Sequence, residues 1–462
     1  MKIKPGLIVA ISLCLVALGE LRILPTTLPT VLAVRARNLG QKTENSAFKN
    51  NIYQLTQSNN FHLTSLSSNL SLKLPKNMEN KQNFNNLESN RKLVDAHTRF
   101  SFKLFSKIQK EETNKNIFIS PLSLGIALSM TYNGANGKTQ QAIAQTLELK
   151  GISLEELNLA SAALKENLVN IDPKVELQIA NSFWINGREP LKPEFVQIIK
   201  QFYSSEVKNL TFSDPSALSI INSWVNENTN HKIDKILDKI PPNTVFILLN
   251  AISFNGTWKY PFPKHATKDH PFILLNGQPK IHPLMFHQIY GLRYYENELF
   301  QAVSLPYGDG RLSMYIFLPN KSITIAKFYE NLNAENWDKW LNYLNNNEDY
   351  QGSQSTIVGL PRFKLEYEID LKDTLKSLGM EIAFNSDADF SRMTPNPLWI
   401  SFVKQKALIE VDEEGTKAAA VSAVGGSRSA PNEMIIDRPF FCAIRDNQTG
   451  VILFMGSVVE PE

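Results

Sequence analysis

From Arg91 onward, Leu93, His97, Phe100, Leu104 and Ile108 recur at helical spacing, which predicts a helix burying one stripe and marks the start of a folded unit. A short apolar run, Asn116 to Ile119, follows. Ser120 then supplies an N-cap and Pro121 a first-turn proline for a helix predicted over Leu122 to Tyr132, which Gly134 ends. Amphipathic helices are predicted at Gln140 to Leu147, Leu154 to Leu168, Phe195 to Phe202 and Ala217 to Asn228. After about residue 245 the period shortens towards two and β-branched residues take over. Strands are predicted at Val245 to Phe254, Gln301 to Pro306, Leu312 to Leu318, Thr356 to Phe363, Trp399 to Val411, Met434 to Ile444 and Val451 to Val458. Asp309 and Gly310 form a hairpin turn between two of them, and Asn447 to Gly450 joins the last pair. Helices first and strands later, with long connections between strands, predict a mixed α+β fold and not a βαβ repeat.

The chain before Arg91 follows a different pattern. Lys2 and Lys4 precede an apolar stretch from Leu7 to Leu18, and Ala17 and Gly19 sit at cleavage-compatible spacing, so residues 1–19 read as a signal peptide. The run is short of the roughly 20 residues a spanning helix needs. Leu21 to Val34 is apolar again but interrupted by Pro25 and Pro29, and an uncleaved membrane anchor is the alternative. Residues 37 to 90 are half Asn, Gln, Ser or Thr, 27 of 54, with no sustained period. Such a stretch cannot offset its ordering entropy by burial, so residues 20–90 are expected to be a disordered tether.

Charge and cysteine content remove several function classes. The formal charge is +3, but residues 1 to 90 hold ten Lys or Arg against four Glu, leaving 38 basic and 41 acidic residues in 91 to 462. The basic excess therefore sits outside the folded part, which argues against nucleic-acid binding. Cys14 and Cys442 are too few for a disulfide framework or a thiolate zinc site. No G-x-S-x-G elbow, H-E-x-x-H, Walker loop or dinucleotide fingerprint is present. His265, His270, His282 and His287 fall in one stretch with only Asp269 among them, and read as surface strand and turn residues. A dispersed Ser-His-Asp triad has no local support.

One segment stands apart: Glu413 to Pro431, EEGTKAAAVSAVGGSRSAP, has no bulky residue yet lies between two strong strand patterns. It reads either as a flexible surface loop or as a strand in waiting. In the second case Thr416, Ala418, Ala420, Ser422 and Val424 face one side and Lys417, Ala419, Val421, Ala423 and Gly425 the other.

Separated motifs give this segment a context. Asn116-Ile-Phe-Ile-Ser-Pro-Leu-Ser123, Asn250-Ala-Ile-Ser-Phe-Asn-Gly-Thr-Trp258, Ala388-Asp-Phe-Ser391, Glu410-Val-Asp-Glu-Glu-Gly-Thr416, Asp437-Arg-Pro-Phe440 and Phe454-Met-Gly456 occur in an order that resembles a serpin over about Arg91 to Glu462. The resemblance implies a serpin domain at 91–462, with three β-sheets, about nine helices and an exposed reactive-centre loop. It implies a metastable serine protease inhibitor, itself no enzyme, whose loop inserts into the central sheet after cleavage and traps the protease as an acyl-enzyme. By the same resemblance Ser120, Ser123, Asn250, Trp258 and Gln405 hold the sheet closed at its shutter and breach. Gln405 stands where the family usually has histidine, which keeps hydrogen bonding but removes titration near neutral pH. The hinge comprises Glu413, Glu414, Gly415, Thr416, Lys417, Ala418, Ala419, Ala420 and Val421; its small residues favour the inhibitory type over a non-inhibitory binding or chaperone module. By the family's common spacing, counting back from Pro439 gives Arg428 as the residue before the scissile bond, and counting forward from Glu413 gives Ser429. Arg428 suits the acidic pocket of a trypsin-like protease, with the bond at Arg428–Ser429; Ser429 would suit an elastase-like one. A secreted monomer with no cofactor and a trypsin-like partner is expected, with membrane attachment only if the leader is uncleaved.

Overall fold

The computed structural model describes residues 87–168, 171–187, 189–346, 354–415 and 430–462. Every described residue lies in one compact unit, Gln82–Glu462. The expected leader and most of the tether, and the hinge residues Thr416, Lys417, Ala418, Ala419, Ala420 and Val421 with Arg428 and Ser429, lie outside the described residues.

Helix α1, Leu87–Glu111, buries Leu93, His97, Phe100, Leu104 and Ile108 along one face, as the spacing predicted. After β1, Ile117–Ile119, the Ser120 hydroxyl accepts from the Ser123 N–H at 3.3 Å and starts α2, Pro121–Gly134. Such a cap contributes about 1 kcal/mol. All of α2 except Tyr132 is buried, because the helix runs between two sheets and meets apolar partners on every side. Helices α3, Gly137–Thr146, and α4, Leu154–Leu168, follow.

The chain then departs from the expected order. Strand β2, Val175–Asn186, and β3, Glu206–Leu210, flank α5, Pro193–Ile198, so strands begin well before residue 245. Helix α6, Ala217–Asn228, precedes β4, Phe246–Gly256. Three strands escaped the periodicity: β5, Lys268–Ile273, β6, Pro279–Tyr290, and β7, Arg293–Glu296. Strands β8, Phe300–Pro306, and β9, Leu312–Pro319, form the expected hairpin across Asp309 and Gly310. Helices α7, Ile325–Asn331, and α8, Ala334–Asn346, interrupt the strand-rich half.

Two expected strands are each two. Thr356 to Phe363 divides into β10, Ser355–Pro361, and β11, Phe363–Asp370, in different sheets. Met434 to Ile444 divides into β13, Asn432–Ile435, and β14, Phe440–Asp446. Pro361 and Pro439 sit at the breaks, where a residue without an N–H cannot continue a ladder. Helix α9, Lys372–Leu375, β12, Phe402–Val411, and β15, Ile452–Val458, complete the chain.

The strands form three sheets, ordered β1-β15-β14-β9-β8-β7, β13-β10-β6-β5 and β11-β12-β4-β2-β3. Nine α-helices are present among the described residues, and the fold is mixed α+β. Among these residues no helix is long and apolar enough to cross a membrane.

Candidate functional site

The five-stranded sheet has an unusual joint at its centre. Strands β4 and β12 run parallel, paired from Ile247 with Phe402 to Phe254 with Ile409, while each pairs antiparallel on its other side, with β2 and β11. A strand running opposite to both would fit between β4 and β12 with antiparallel ladders on each edge.

The joint is closed by buried side chains on both faces. On the inner face Gln405, Asn250 and Asn181 occupy one row across β12, β4 and β2, directly paired in register. Gln405 donates from Nε2 to Asn250 Oδ1 at 2.5 Å and to the Ser120 carbonyl at 2.9 Å, and accepts from the Ser120 N–H at 3.0 Å. Asn250 donates from Nδ2 to the Ser123 hydroxyl and to Asn181 Oδ1. Ser120 donates to the Leu453 carbonyl at 2.7 Å, which ties the row to β15. Ser120, Ser123, Asn250 and Gln405 are fully buried, so each bond left unmade would cost the desolvation of its partners. On the outer face Ile221 and Val225 of α6, with Ile233, Ile236 and Leu237 beyond it, cover Ile247 and Leu249 of β4. Lys406 of β12 reaches across to donate to the Lys235 carbonyl at 3.0 Å.

At the end of β12 the chain reverses. Gly415 N–H donates to the Asp412 carbonyl at 3.2 Å, and the Asp412 carboxylate accepts from the Glu414 N–H at 2.9 Å. Gly415 has φ +83°, and a Cβ there would collide with the Gly256 carbonyl oxygen and Trp258 nitrogen, so the turn lies against the end of β4. Trp258 fastens it, donating from its indole to the Asp412 carbonyl at 3.0 Å and from its backbone to the Glu414 carbonyl at 3.1 Å. Its ring stacks on Tyr307 with centroids 4.2 Å apart. Phe262 N–H donates to the Glu413 carbonyl at 2.8 Å.

Glu413 is the charged anchor of this turn. Its carboxylate, 3% exposed, accepts from Arg362 Nε at 2.9 and 3.0 Å, from Arg362 Nη2 and from the Thr267 hydroxyl. Burial opposes its charge, but the guanidinium and hydroxyl outweigh burial and hold the carboxyl below its ordinary value. Asp412 is held above its ordinary value, by burial first and then by the neighbouring carboxylates. Glu414 pairs with Lys264 at 2.6 Å.

The structure thus brings Ser120, Ser123, Asn250 and Gln405 into one network, and Trp258, Glu413, Glu414 and Gly415 into another at the end of the same joint. Asn181, Arg362 and Thr267 belong to these networks and were missed. A signal for Asn181 existed: it is the one polar residue in the row Val175, Leu177, Ile179, Asn181, Phe183, Ile185, had β2 been read as a strand. The histidines occupy a turn and strands, as expected, with graded exposure. His265 is exposed, whereas His270, His282 and His287 are half-buried on β5 and β6, and the His287 ring lies 5.9 Å from Phe262. No group of three or more His, Cys, Asp or Glu side chains among the described residues is placed to hold a metal. Cys442 is buried, which pushes its thiol up to about 12 and leaves it unreactive.

Comparison with known proteins gives this arrangement its family. Residues 95–461 match the family model described as serpin (serine protease inhibitor). Human Serpin B3 is 34% identical, covering 80% of this chain and 99% of its own length. Human neuroserpin is 32% identical, covering 80% and 92%. The crystal structure of the thermophilic serpin tengpin in its native state superposes with a TM-score of 0.70 at 32% identity, covering 80% of this chain and 94% of that one. A family match spanning nearly all of the described unit, together with these relatives, establishes that the chain belongs to the serpins, a family of serine protease inhibitors.

Proposed function

We propose that the chain is a suicide inhibitor of a trypsin-like serine protease, with the bond after Arg428 as bait. The protease serine attacks the Arg428 carbonyl, the Ser429 amine leaves, and an ester joins Arg428 to the enzyme. Residues 416 to 428 then enter the sheet between β4 and β12, antiparallel to both. About 13 residues at 3.3 Å span roughly 43 Å, which carries the tethered protease far from the bait's starting position and distorts it before water can cleave the ester.

The observation that supports this reading best is the parallel β4–β12 joint with the chain already turned back at Gly415 against the end of β4. A strand started there enters with the correct polarity and needs no crossover. Small side chains at Thr416, Ala418, Ala419 and Ala420 suit a strand that must slide in quickly, and Lys417 alternates to the outer side. In this reading residues 1–19 direct export, residues 20–90 form a tether, and the inhibitor acts as a monomer.

Incubation with trypsin tests it. A covalent complex that survives denaturant, lost in Arg428→Ala, is expected. Cleavage without a complex would leave a binding or chaperone module. An unchanged complex in Arg428→Ala, with an elastase-like enzyme trapped instead, would move the bait to Ser429. Heating before and after cleavage supplies the energetic half of the test: equal midpoints would refute loop insertion.

A further inference from the structure

Strand β2 is flanked on its outer side over only half its length. Strand β3 pairs with Ser182 to Asn186, whereas Val175 to Ile179 have no strand on that side among the described residues. A cleft of about 580 Å³ lies along this stretch, inside the range of roughly 300–1,000 Å³ typical of small-molecule sites. Its apolar walls are Ile126 of α2, Leu168 at the end of α4, Ile171, and Val175, Leu177 and Ile179 of β2. The three β2 side chains are half-buried, so part of their apolar surface is open to the cleft.

Lys165, in the last turn of α4, also lines the cleft and is half-buried. Its Nζ donates to the Tyr203 carbonyl at 2.7 Å, and no carboxylate among the described residues pairs with it. Burial acts on the amine unopposed and holds it below its ordinary value. The two carboxylates on the cleft are engaged elsewhere. Asp172 accepts from the Lys174 N–H at 2.7 Å and the Asp309 N–H at 2.6 Å, and Glu176 accepts from Asn230 Nδ2 at 2.8 Å. A lysine that burial pushes towards its neutral form is a nucleophile. An anionic ligand would need the cation that burial disfavours, so an electrophilic carbonyl suits this amine better than a carboxylate does.

We propose that Lys165 is a covalent site for an aliphatic aldehyde, whose chain lies on the apolar walls while its carbonyl forms an imine with Nζ. The Nζ lone pair attacks the carbonyl carbon, the carbonyl oxygen leaves as water with both Nζ hydrogens, and a carbon–nitrogen double bond remains; water reverses the step. The Tyr203 carbonyl still accepts from the Ser205 hydroxyl at 3.1 Å, so losing the Nζ donor does not orphan it. This site uses neither the bait nor the β4–β12 joint.

The test treats the full chain with hexanal and cyanoborohydride at pH 7, which reduces each imine to a stable amine, and maps labelled lysines by peptide mass over time. Lys165 should be labelled at least fivefold faster than Lys115, whose side chain is 71% exposed. That advantage should shrink towards about pH 10, where exposed amines lose their protons too. Replacing hexanal with propanal should slow labelling of Lys165 at least threefold relative to Lys115, because the shorter chain covers less of the apolar wall. Labelling of Lys165 no faster than Lys115, or without preference for the longer chain, would overturn the proposal.

Discussion

His97 gives a pH dependence that can be worked through from the structure. Its ring lies on α1 against Gly125 of α2, where a Cβ would fall 2.5 Å from Cε1 and 2.6 Å from Nδ1. The ring is 4% exposed and its Nε2 has no hydrogen-bond partner among the described residues. Helix α2 carries no ionisable side chain except Tyr132, and Asp95 and Arg99 on the same helix as His97 and Glu155 on α4 are exposed. Burial alone therefore lowers the imidazole from 6.5 to about 4. The unfolded chain binds the extra proton between these values, so stability is complete above pH 6.5 and falls as pH drops towards 4. At about 1.36 kcal/mol per unit, the loss is about 2 kcal/mol at pH 5 and about 3 kcal/mol at pH 4. Urea unfolding of the parent and His97→Asn across pH 4 to 7.5 isolates this contribution, because other groups titrate in both. The difference should be flat above pH 6.5 and grow in favour of the variant below it. A difference independent of pH would refute the assignment.

The other predictions concern the two networks. Arg362→Ala leaves a nearly buried Glu413 carboxylate with only Thr267, and should lower stability by about 2 kcal/mol at pH 7, read by urea unfolding. Because Glu413 sits below its ordinary value, that loss should shrink as pH falls through the carboxylate range. Gln405→Ala removes three hydrogen bonds and leaves the buried Ser120 N–H and Asn250 Oδ1 unpaired, at about 3 kcal/mol; Gln405→His should be milder and introduce a pH response that Gln405 lacks. Gly415→Ala combines positive φ with a collision against β4 and should lower the heat midpoint, while the same change at the exposed Gly277 turn, also at positive φ but with open space around its Cβ, should do so less.

Much of the architecture was legible because burial imposed a helical stripe on α1 and near-continuous apolar runs on strands buried on both faces. The stripe on α1, the cap of α2 and the strands β4, β9, β12 and β15 follow directly from it. Strand β2 was not, since its alternation fails at two positions that the structure explains. Asn181 enters the apolar row to join Asn250, and Trp184 enters the polar row to pack beneath α6, with Trp224 centred 6.0 Å away. The ends of β10 and β13 were obscured because apolar residues resume directly after Arg362 and after the Asp437-Arg438-Pro439 break while the hydrogen-bonded partner changes. Of the candidate site, the motif residues were visible as polar groups within apolar strands. The Arg362–Glu413 pair was not, since nothing local links residues 51 apart in sequence.

Gln405 and Asn250 touch each other across the one joint where the proposed reaction needs an opening. A strand inserted between β4 and β12 would raise their separation from about 4.8 Å to about 9.6 Å, so the direct bond between their side chains must break. Both residues have partners on α2: Gln405 holds Ser120, and Asn250 holds Ser123. With the helix fixed, at least one of the two residues must leave its partner as the joint opens, so the cost is the crossing bond and one bond to the helix instead of the whole network. The Lys406 bond to the Lys235 carbonyl crosses the same joint on the outer face and must break with it. Weakening these crossing bonds should speed opening, whereas weakening a bond to α2 that survives opening should destabilise closed and open forms alike. Lys406→Met should accordingly accelerate insertion of a peptide matching residues 416–428 more than Ser123→Ala does, and the reverse order would rule out this division of labour.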